Sequence, residues 1–456
     1  MKSQANYMVA VIGAGPAGLF AARELALQNV HVGLFNRDIK PGGLAEYGIY
    51  PEKYKMKAGL RNQFRQILGL EAIDYYGNVS IGERGDIKLD ELCEMGFQAV
   101  LVTVGAQGTK WLGLPGENLA GVYHAKDLVY HYNQLPPFSE RQFDIGRRVA
   151  VIGAGNVMLD IARYLATLNQ VEEVVAVIRR GPAEIKFSRA ELENVGNLID
   201  LTDLEHELAR VTPAMQSVAQ NPQDFKDFIT LALNKSIPTH STARLLFRFL
   251  VSPTQILGDQ NGRMVGLEVE ENTLVLQDGS VAARSLGSHH VIGVDTIIYA
   301  IGDRVDENFG LPVKGSEYLK YPNPRFPVEG NSYEVYDPGN NCPIGGIFVA
   351  GWSRKASSGL VGVARKDGTC GSKAVLQYLQ TLSPLDQLPL DCVKERIAQI
   401  AKPVITQVDL NRLQTVELDH ARQLGLEEFK FSTNQEMFEA MGFFPLSVSD
   451  SVDARF

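Results

Sequence analysis

The sequence predicts an α/β protein with two Rossmann-like nucleotide-binding domains, one of them inserted into the other. A strand, a glycine-rich turn and a helix follow one another at Gly13, and the same order recurs at Gly153, 140 residues later. Strand and helix signals then return after a segment rich in Pro, Gly and Asn at 323–341. The expected bounds are 1–108 and 336–456 for the two parts of the discontinuous domain, the second part with a helical tail, and 109–335 for the inserted domain with its crossover segment.

The first glycine-rich turn has the complete G-x-G-x-x-G pattern between an apolar strand at 8–12 and a helix predicted over 19–28. The first glycine permits the tight turn, the second lets a pyrophosphate approach the backbone, and the third lets the helix pack closely on the strand. The helix N-terminus offers its amide dipoles to the phosphates. A dinucleotide site is therefore favoured over a purely structural turn. The residues expected to bind the cofactor here are Gly13, Gly15, Pro16, Ala17 and Gly18.

The second unit carries two arginines where a Rossmann unit contacts the ribose of its dinucleotide. One strand enters Gly153 and Gly155, and the next strand ends at Arg179 and Arg180. An acidic residue at this place binds the ribose 2′-hydroxyl of NAD, whereas guanidinium groups suit the doubly charged 2′-phosphate of NADP. We therefore predict NADP in the second domain. Met158 replaces the third glycine, which we expect to weaken binding without abolishing it.

The first unit lacks such a basic pair, and we predict FAD as its occupant. Its second strand, 30–35, ends at Asn36, where an acid normally binds the ribose. An amide oxygen still accepts a hydrogen bond from a hydroxyl, though a weaker one than a carboxylate accepts. One chain with two such units is the arrangement of a flavoprotein that holds FAD in one domain and NADP in the other.

Three further apolar strands end at glycines, namely Gly105, Gly302 and Gly351. Doubly wound sheets bind ligands at the carboxyl ends of their parallel strands. We predict that the segments at these glycines line the cofactor sites. The alternative for each of them is an ordinary turn at the end of a strand.

Composition and charge argue against several classes of function. The 456 residues can fill two or three domains, and the net charge of −9 argues against binding to nucleic acid or to an anionic membrane. No apolar run approaches the roughly 18 residues of a membrane span, and the first strand begins so early that we expect no targeting peptide and a cytoplasmic protein. The four cysteines form no C-x-x-C pair, so neither a metal site nor a disulfide-reductase mechanism is expected.

Several longer motifs resemble those of the adrenodoxin-reductase-like ferredoxin–NADP reductases, and the resemblance runs along essentially the whole chain. The motifs are GLAEYGIYP at 43–51, GAGNVMLD at 153–160, RRGP at 179–182, FSRAEL at 187–192, GW at 351–352 with GLV at 359–361, and a last helix ending at Gly442. The resemblance implies transfer of electrons from NADPH through FAD to a one-electron iron–sulfur acceptor such as ferredoxin, by hydride transfer to flavin N5 and release of single electrons. This chemistry depends on positioning, so no catalytic acid or base is assigned.

The resemblance also implies which residues hold each cofactor. Gly43, Leu44 and Gly48 would lie along the FAD, and Trp352 with Gly359, Leu360 and Val361 would close over its isoalloxazine ring. The residues that would contact NADP are Asn156, Val157, Arg179, Arg180 and Glu191.

The chain departs from the family pattern at three places near the expected flavin. Lys53 stands where a histidine is common, Glu46 replaces an arginine, and the turn at 356–359 reads ASSG in place of GPTG. Two alternatives stay open. One is an electron-entry module like the glutamate synthase small subunit, which shares the two nucleotide folds and acts in a larger redox complex. The other is a non-catalytic subunit whose cofactor sites are degraded at Asn36, Met158 and Lys53. Modules of the first kind usually carry an N-terminal cysteine-rich region, which this sequence lacks.

An acidic ferredoxin requires a local positive surface on a chain whose net charge is negative. Two groups of basic residues could form this surface. The alternative is that they are ordinary solvated charges. They are Arg244, Arg248 and Arg263 in the second domain, and Arg354, Lys355, Arg365 and Lys366 near the expected flavin rim.

Overall fold

The structure, a computed structural model, describes residues 6–238, 241–357 and 359–443. Ser358 of the predicted 356–359 turn therefore lies outside the described residues. The strands are β1 Tyr7–Ile12, β2 Val30–Asn36, β3 Ile73–Gly77, β4 Ala99–Val102, β5 Gly108–Thr109, β6 Val122–His124, β7 Arg148–Ile152, β8 Glu173–Ile178, β9 Arg244–Phe249, β10 Val251–Gly258, β11 Met264–Gln277, β12 Ser280–Ile292, β13 Thr296–Tyr299, β14 Asp303–Arg304, β15 Val313–Lys314, β16 Glu317–Tyr318, β17 Glu334–Asp337 and β18 Cys342–Val349. The helices are α1 Pro16–Leu27, α2 Leu44–Tyr47, α3 Tyr54–Leu68, α4 Leu89–Glu94, α5 Ala125–Tyr132, α6 Asn156–Leu165, α7 Arg189–Leu192, α8 Leu201–Ser217, α9 Pro222–Leu233, α10 Val361–Leu379, α11 Leu390–Ala398, α12 Gln407–Leu424 and α13 Asn434–Met441.

The chain forms two compact units. Within the described residues, unit 1 comprises the chain up to 108, residues 130–140 and the chain from 303 onward, and unit 2 comprises 109–129 and 141–302. Unit 2 is thus inserted into unit 1 along the chain.

Unit 1 is built on a six-stranded sheet in the order β17-β18-β4-β1-β2-β3, parallel except for the β17–β18 pair. The side chains of β1 point alternately to the two faces of the sheet. Val9 and Val11 belong to one hydrophobic cluster of the unit, and Met8, Ala10 and Ile12 belong to the other. On one face α10 packs against α1, and Gly368 makes this close approach possible because a Cβ there would stand 2.1 Å from the carbonyl oxygen of Ala17. The strands are buried on both faces, as expected of a doubly wound parallel sheet.

Unit 2 contains a five-stranded parallel sheet in the order β6-β13-β7-β8-β9 and a separate antiparallel sheet of β10, β11 and β12. The antiparallel sheet covers β7 and β8 with the apolar side of its strands, through Leu267 and Val269 among others. From β7 the chain adds β8 and β9 on one side of the sheet, and β13 then lies on the other side of β7. This switch point is where open α/β sheets bind their ligands.

Residues 303–335, assigned from the sequence to the inserted domain, belong to unit 1. Val305, Phe309 and Tyr318 are buried in the same cluster as Val100 and Val102 of β4, which holds this segment in the first unit. The Pro- and Gly-rich composition at 323–341 therefore marks loops within unit 1.

Residues 130–140 likewise belong to unit 1 rather than to the inserted domain. Tyr130 and Leu135 pack with Tyr47 of α2. The predicted crossover segment is therefore divided: residues 109–129 belong to unit 2, residues 130–140 to unit 1, and the chain from 141 belongs to unit 2 again.

The helical tail contains α11, α12 and α13. The last of these ends at Gly442, whose φ of +87° lies in the left-handed region that favours glycine. No helix among the described residues is long and apolar enough to cross a membrane.

Candidate cofactor-binding sites

The first glycine turn allows a strand, a helix and a neighbouring strand to meet without side chains between them. Gly13 has a φ of +101°, and a Cβ added there would stand 2.7 Å from the carbonyl oxygen of Thr103. A Cβ at Gly18 would stand 1.9 Å from the carbonyl oxygen of Gly13 and 2.5 Å from Oγ1 of Thr103. Both glycines are therefore required by the protein itself, with or without a ligand.

Gly15 differs from the other two glycines because its Cβ direction is open. No protein atom lies within 4 Å of that position among the described residues. Gly15 is the N-cap of α1 and makes no side-chain cap, and Pro16 opens the helix. The backbone amides of the first turn of α1 therefore face a space that fits a pyrophosphate.

The residues predicted to lie along the FAD gather around this turn. A Cβ at Gly43 would stand 3.3 Å from Cα of Gly15, and the Gly42 amide donates to the Ala14 carbonyl at 2.7 Å. From the other side, a Cβ at Gly351 would stand 2.7 Å from Cβ of Ala17. The parallel pairing of β2, β1, β4 and β18 therefore brings the segments that follow β1, β2 and β18 to the carboxyl edge of the sheet.

The other predicted FAD residues occupy the loops at this edge or lie close behind it. The Gly105 amide donates to Oγ of Ser353 at 3.0 Å, next to the half-buried Trp352. Leu360 is the N-cap of α10, and 74% of its surface is exposed. The positions of the remaining members are Leu44 at the start of α2, Gly48 at its end, Gly359 before α10 and Val361 at its first residue.

Asn36, the predicted ribose contact, also forms hydrogen bonds within the protein. Its Oδ1 accepts the Ala14 amide at 2.9 Å, and its Nδ2 donates to the carbonyls of Asp38 at 2.8 Å and Lys40 at 3.1 Å. Only 7% of its surface is exposed. The side chain thus fastens the glycine turn to the loop after β2, and a carboxylate would lack the donor for the two carbonyls.

The second glycine turn repeats the geometry of the first. Gly153 has a φ of +143°, a Cβ there would stand 2.4 Å from the Ala300 carbonyl oxygen, and Gly155 has no protein atom within 4 Å of its Cβ position among the described residues. Gly155 is the N-cap of α6 and, like Gly15, makes no side-chain cap. Met158 is fully buried, so the third position of this turn contributes to the core. The second turn therefore leaves the same opening at Gly155 as the first leaves at Gly15.

Two predicted NADP residues, Asn156 and Glu191, are linked through Ser188. Oδ1 of Asn156 accepts the Ser188 amide at 2.8 Å, and Ser188 is the N-cap of α7, which carries Glu191. Val157, the next residue, has 44% of its surface exposed. The start of α6 and the loop before α7 are therefore adjacent.

Arg179 and Arg180 directly follow β8, and both are exposed. Within the described part of the chain, neither guanidinium forms an ion pair or a hydrogen bond. By contrast, Arg248 is paired with Asp203 at 2.7 Å. The two strand-end arginines are thus free to take an external anion.

The proposed basic surface is wrong for the three arginines of unit 2, because carboxylates balance each of them. Arg244 pairs with Glu173 and Asp200, Arg248 with Asp203, and Arg263 with Asp144.

In unit 1, two of the four candidates are also paired. Arg354 binds both oxygens of Asp367, Lys366 pairs with Glu329 at 2.9 Å, and Arg365 stacks over the ring of Phe20. Lys355 is exposed and makes no side-chain ion pair among the described residues.

Glu46 is the centre of a buried ionic cluster, which no pattern in the sequence indicates. Its carboxylate receives Nε and Nη2 of Arg61 at 2.6 and 2.5 Å and pairs with Nζ of Lys430 at 3.0 Å and with Nζ of Lys40 at 3.7 Å. Burial alone would raise the pKa of Glu46, but the three cations together lower it well below its usual value. A cavity of about 380 Å³ adjoins this cluster, and none of the predicted cofactor residues lines it.

We expect Glu46→Gln to destabilise unit 1 by about 3–5 kcal/mol at pH 7, the usual cost of breaking a buried ion pair. The pKa of Glu46 is lowered on folding, so its contribution to stability is complete above the usual value of 4.5 and is lost as the pH falls through the lower folded value. The difference between the two proteins in urea unfolding should therefore shrink under acid conditions. Glu94→Gln, on the exposed end of α4, is the control and should change little. A difference that did not depend on pH would contradict the assignment.

Comparison with known proteins agrees with this geometry. The sequence profile of the pyridine nucleotide-disulphide oxidoreductase family matches residues 7–323. The chain is 32% identical over 402 residues to the NADPH-ferredoxin reductase FprA of Mycobacterium leprae, covering 80% of this chain and 83% of that protein. The chain belongs to the adrenodoxin-reductase-like ferredoxin–NADP reductase family.

Other relatives extend this result. The mitochondrial NADPH:adrenodoxin oxidoreductase of Salvelinus fontinalis is 28% identical, with 81% of this chain and 77% of that protein covered. The structure of Mycobacterium tuberculosis FprA in complex with NADPH superimposes with a TM-score of 0.77 and 26% identity over 95% of this reductase and 99% of that chain. The predicted family, fold class, oxidoreductase activity and cofactors, FAD and NADP, are therefore confirmed.

Proposed function

We propose that this reductase moves electrons between NADPH and a one-electron iron–sulfur protein of the ferredoxin type. The observation that carries the proposal is the exposed, unpaired pair Arg179 and Arg180 beside the second open glycine turn. Two positive charges at that place suit the 2′-phosphate of NADP. The relatives named NADPH-ferredoxin reductase and NADPH:adrenodoxin oxidoreductase support a small iron–sulfur protein as the acceptor.

The residues of the chain contribute binding and orientation. The amides at the starts of α1 and α6 would hold the two pyrophosphates, and Gly15 and Gly155 carry no side chain that would block their approach. Gly43 and Gly351 flank the first turn, and Asn36 keeps that turn joined to the loop after β2. When bound, FAD supplies the redox chemistry, which is acceptance of hydride from NADPH and release of single electrons.

The test is anaerobic reduction of the bound flavin, followed by reoxidation. We expect the purified protein to contain FAD, NADPH to bleach its absorbance, and oxidised ferredoxin to restore the absorbance. A [2Fe–2S] and a [4Fe–4S] ferredoxin should be tried in parallel, because the chain does not specify the cluster. Bleaching by NADPH without reoxidation by either ferredoxin would exclude the proposed acceptor and favour an entry module of a larger redox complex.

We also propose a cytoplasmic location. The similarity to the FprA protein of Mycobacterium leprae supports it, whereas other relatives are mitochondrial proteins. Fractionation of the producing cells, followed by detection of the native chain, tests this assignment.

A further inference from the structure

The arginine pair of unit 2 is anchored through its backbone rather than through its side chains. Nδ2 of Asn272, on β11, donates to the Arg179 carbonyl at 3.3 Å and to Oγ of Ser252 at 2.8 Å. The amide of Leu250 donates to the Arg180 carbonyl at 3.2 Å. Both carbonyls of the pair are thus fixed while both guanidinium groups stay exposed.

Asn272 is placed for this contact by an irregularity in the antiparallel sheet. The register between β11 and β12 shifts between Glu270 and Asn272, and Asn272 lies one residue beyond the last β10 pairing, Val251 with Glu271. Its side chain is 6% exposed. A buried amide whose donors have fixed acceptors is a rigid support, because leaving those acceptors unpaired would cost free energy.

Leu250 completes the support. It joins β9 to β10 with a φ of +54°, a left-handed conformation that is unfavourable for leucine. Its amide donates to the Arg180 carbonyl, and its own carbonyl accepts the Asn272 amide at 2.8 Å. Leu250 thus links Arg180 to Asn272, and strained residues held this way are concentrated at functional sites.

We propose that Asn272 is a positioning residue for the choice of NADP over NAD. Its amide holds the peptide after β8 so that Arg179 and Arg180 present their charges where the 2′-phosphate arrives. Asn272 is buried behind the strand end and does not itself touch the nucleotide. The inference rests on the proposed function, since it requires that the arginine pair binds NADP.

A residue that only stabilised unit 2 would affect both nucleotides alike, whereas a positioning residue affects the one with a 2′-phosphate. We expect Asn272→Ala to raise the KM for NADPH about tenfold, the factor that corresponds to ~1.4 kcal/mol, with kcat nearly unchanged. The kcat/KM for NADH should change by less than about twofold. The inhibition constant of 2′,5′-ADP should rise by about the same factor as the KM for NADPH. The inhibition constant of 5′-AMP, which has no 2′-phosphate, should not change.

Three further variants sharpen the test. Ser252→Ala leaves the bond to Arg179 in place and should have a smaller effect. Asn197→Ala removes an equivalent bond, from Nδ2 to the Ile237 carbonyl, elsewhere in unit 2 and should leave the nucleotide preference unchanged. In an Arg179→Ala/Arg180→Ala background, Asn272→Ala should have no further effect on the preference, because the groups that it positions are gone.

The outcomes separate this inference from the function on which it rests. If the unmodified reductase does not prefer NADPH, the NADP assignment itself fails. If it does prefer NADPH and the double arginine variant loses that preference, but Asn272→Ala lowers kcat/KM equally for both nucleotides, the inference alone is overturned. Should Asn272→Ala not fold, Asn272→Asp, which keeps the size of the side chain, replaces it, and failure of both to fold makes Asn272 a residue of stability and overturns the inference.

Discussion

We expect that replacing Arg179 and Arg180 together by alanine abolishes the preference of this reductase for NADPH. The two guanidinium groups are exposed and unpaired among the described residues, so alanine removes no internal contact of theirs. Each charge-assisted hydrogen bond to the 2′-phosphate contributes about 1.5–3 kcal/mol. Losing both lowers kcat/KM for NADPH by about 100-fold or more. NADH has no 2′-phosphate, so its kcat/KM changes by only a few-fold.

The chain offers a matched control for this experiment. Arg147 and Arg148 are also adjacent arginines of unit 2, but they pair with Glu172 and Glu173 at the other end of β7 and β8. Arg147→Ala/Arg148→Ala removes the same formal charge and should leave the NADPH preference intact. Flavin reduction is followed in the stopped-flow instrument with each nucleotide. A double variant at 179 and 180 that kept its preference would refute the assignment of unit 2 to NADP.

We expect that changing Gly15 to alanine weakens FAD binding without unfolding the protein. The Cβ meets no protein atom within 4 Å in the described structure, and the φ of −75° suits alanine. The apo form should therefore be as stable as the unmodified chain, or slightly more so. The same methyl group occupies the space where the pyrophosphate approaches the backbone, and overpacking of about 1–3 kcal/mol lowers FAD affinity by about 10- to 100-fold.

Flavin content after dialysis and the melting temperature of the apo protein test this second prediction together. Gly59→Ala is the control, since its Cβ also meets no protein atom within 4 Å but lies on the exposed side of α3. Gly155→Ala should retain FAD and weaken NADPH binding, which distinguishes the two turns. Full flavin retention by Gly15→Ala would contradict the placement of FAD at the first turn.

The local parts of the sites could be predicted from the sequence because they depend on neighbouring residues. Glycines at 13, 15 and 18 specify a turn by their spacing alone, and the structure gives Gly13 and Gly18 the close contacts that the pattern requires. The arginines at the end of β8 follow from the same kind of short-range reasoning. Both cofactors and the inserted arrangement of the domains came from such patterns, whereas the family came from the resemblance of longer motifs.

The roles of individual polar side chains depended on partners far away in sequence. The sequence predicts Asn36 as a ribose contact, and only the structure shows that its hydrogen bonds also hold the glycine turn to the loop after β2. The sequence suggests that Arg244 belongs to a basic docking surface. In the structure, its charge is balanced by Asp200 and Glu173, which lie 44 and 71 residues away along the chain.

The sequence by itself determined the fold class, the family and the two nucleotide turns, because a backbone conformation that needs glycine is set within a few residues. Only the tertiary structure decided which charges remain available. Glu46 is held by Lys430, 384 residues away along the chain, and Arg179 is supported by Asn272, 93 residues away. Whether a charged side chain has a partner depends on the residues that folding places beside it. These partners are far away in the sequence, so spacing along the chain does not predict them.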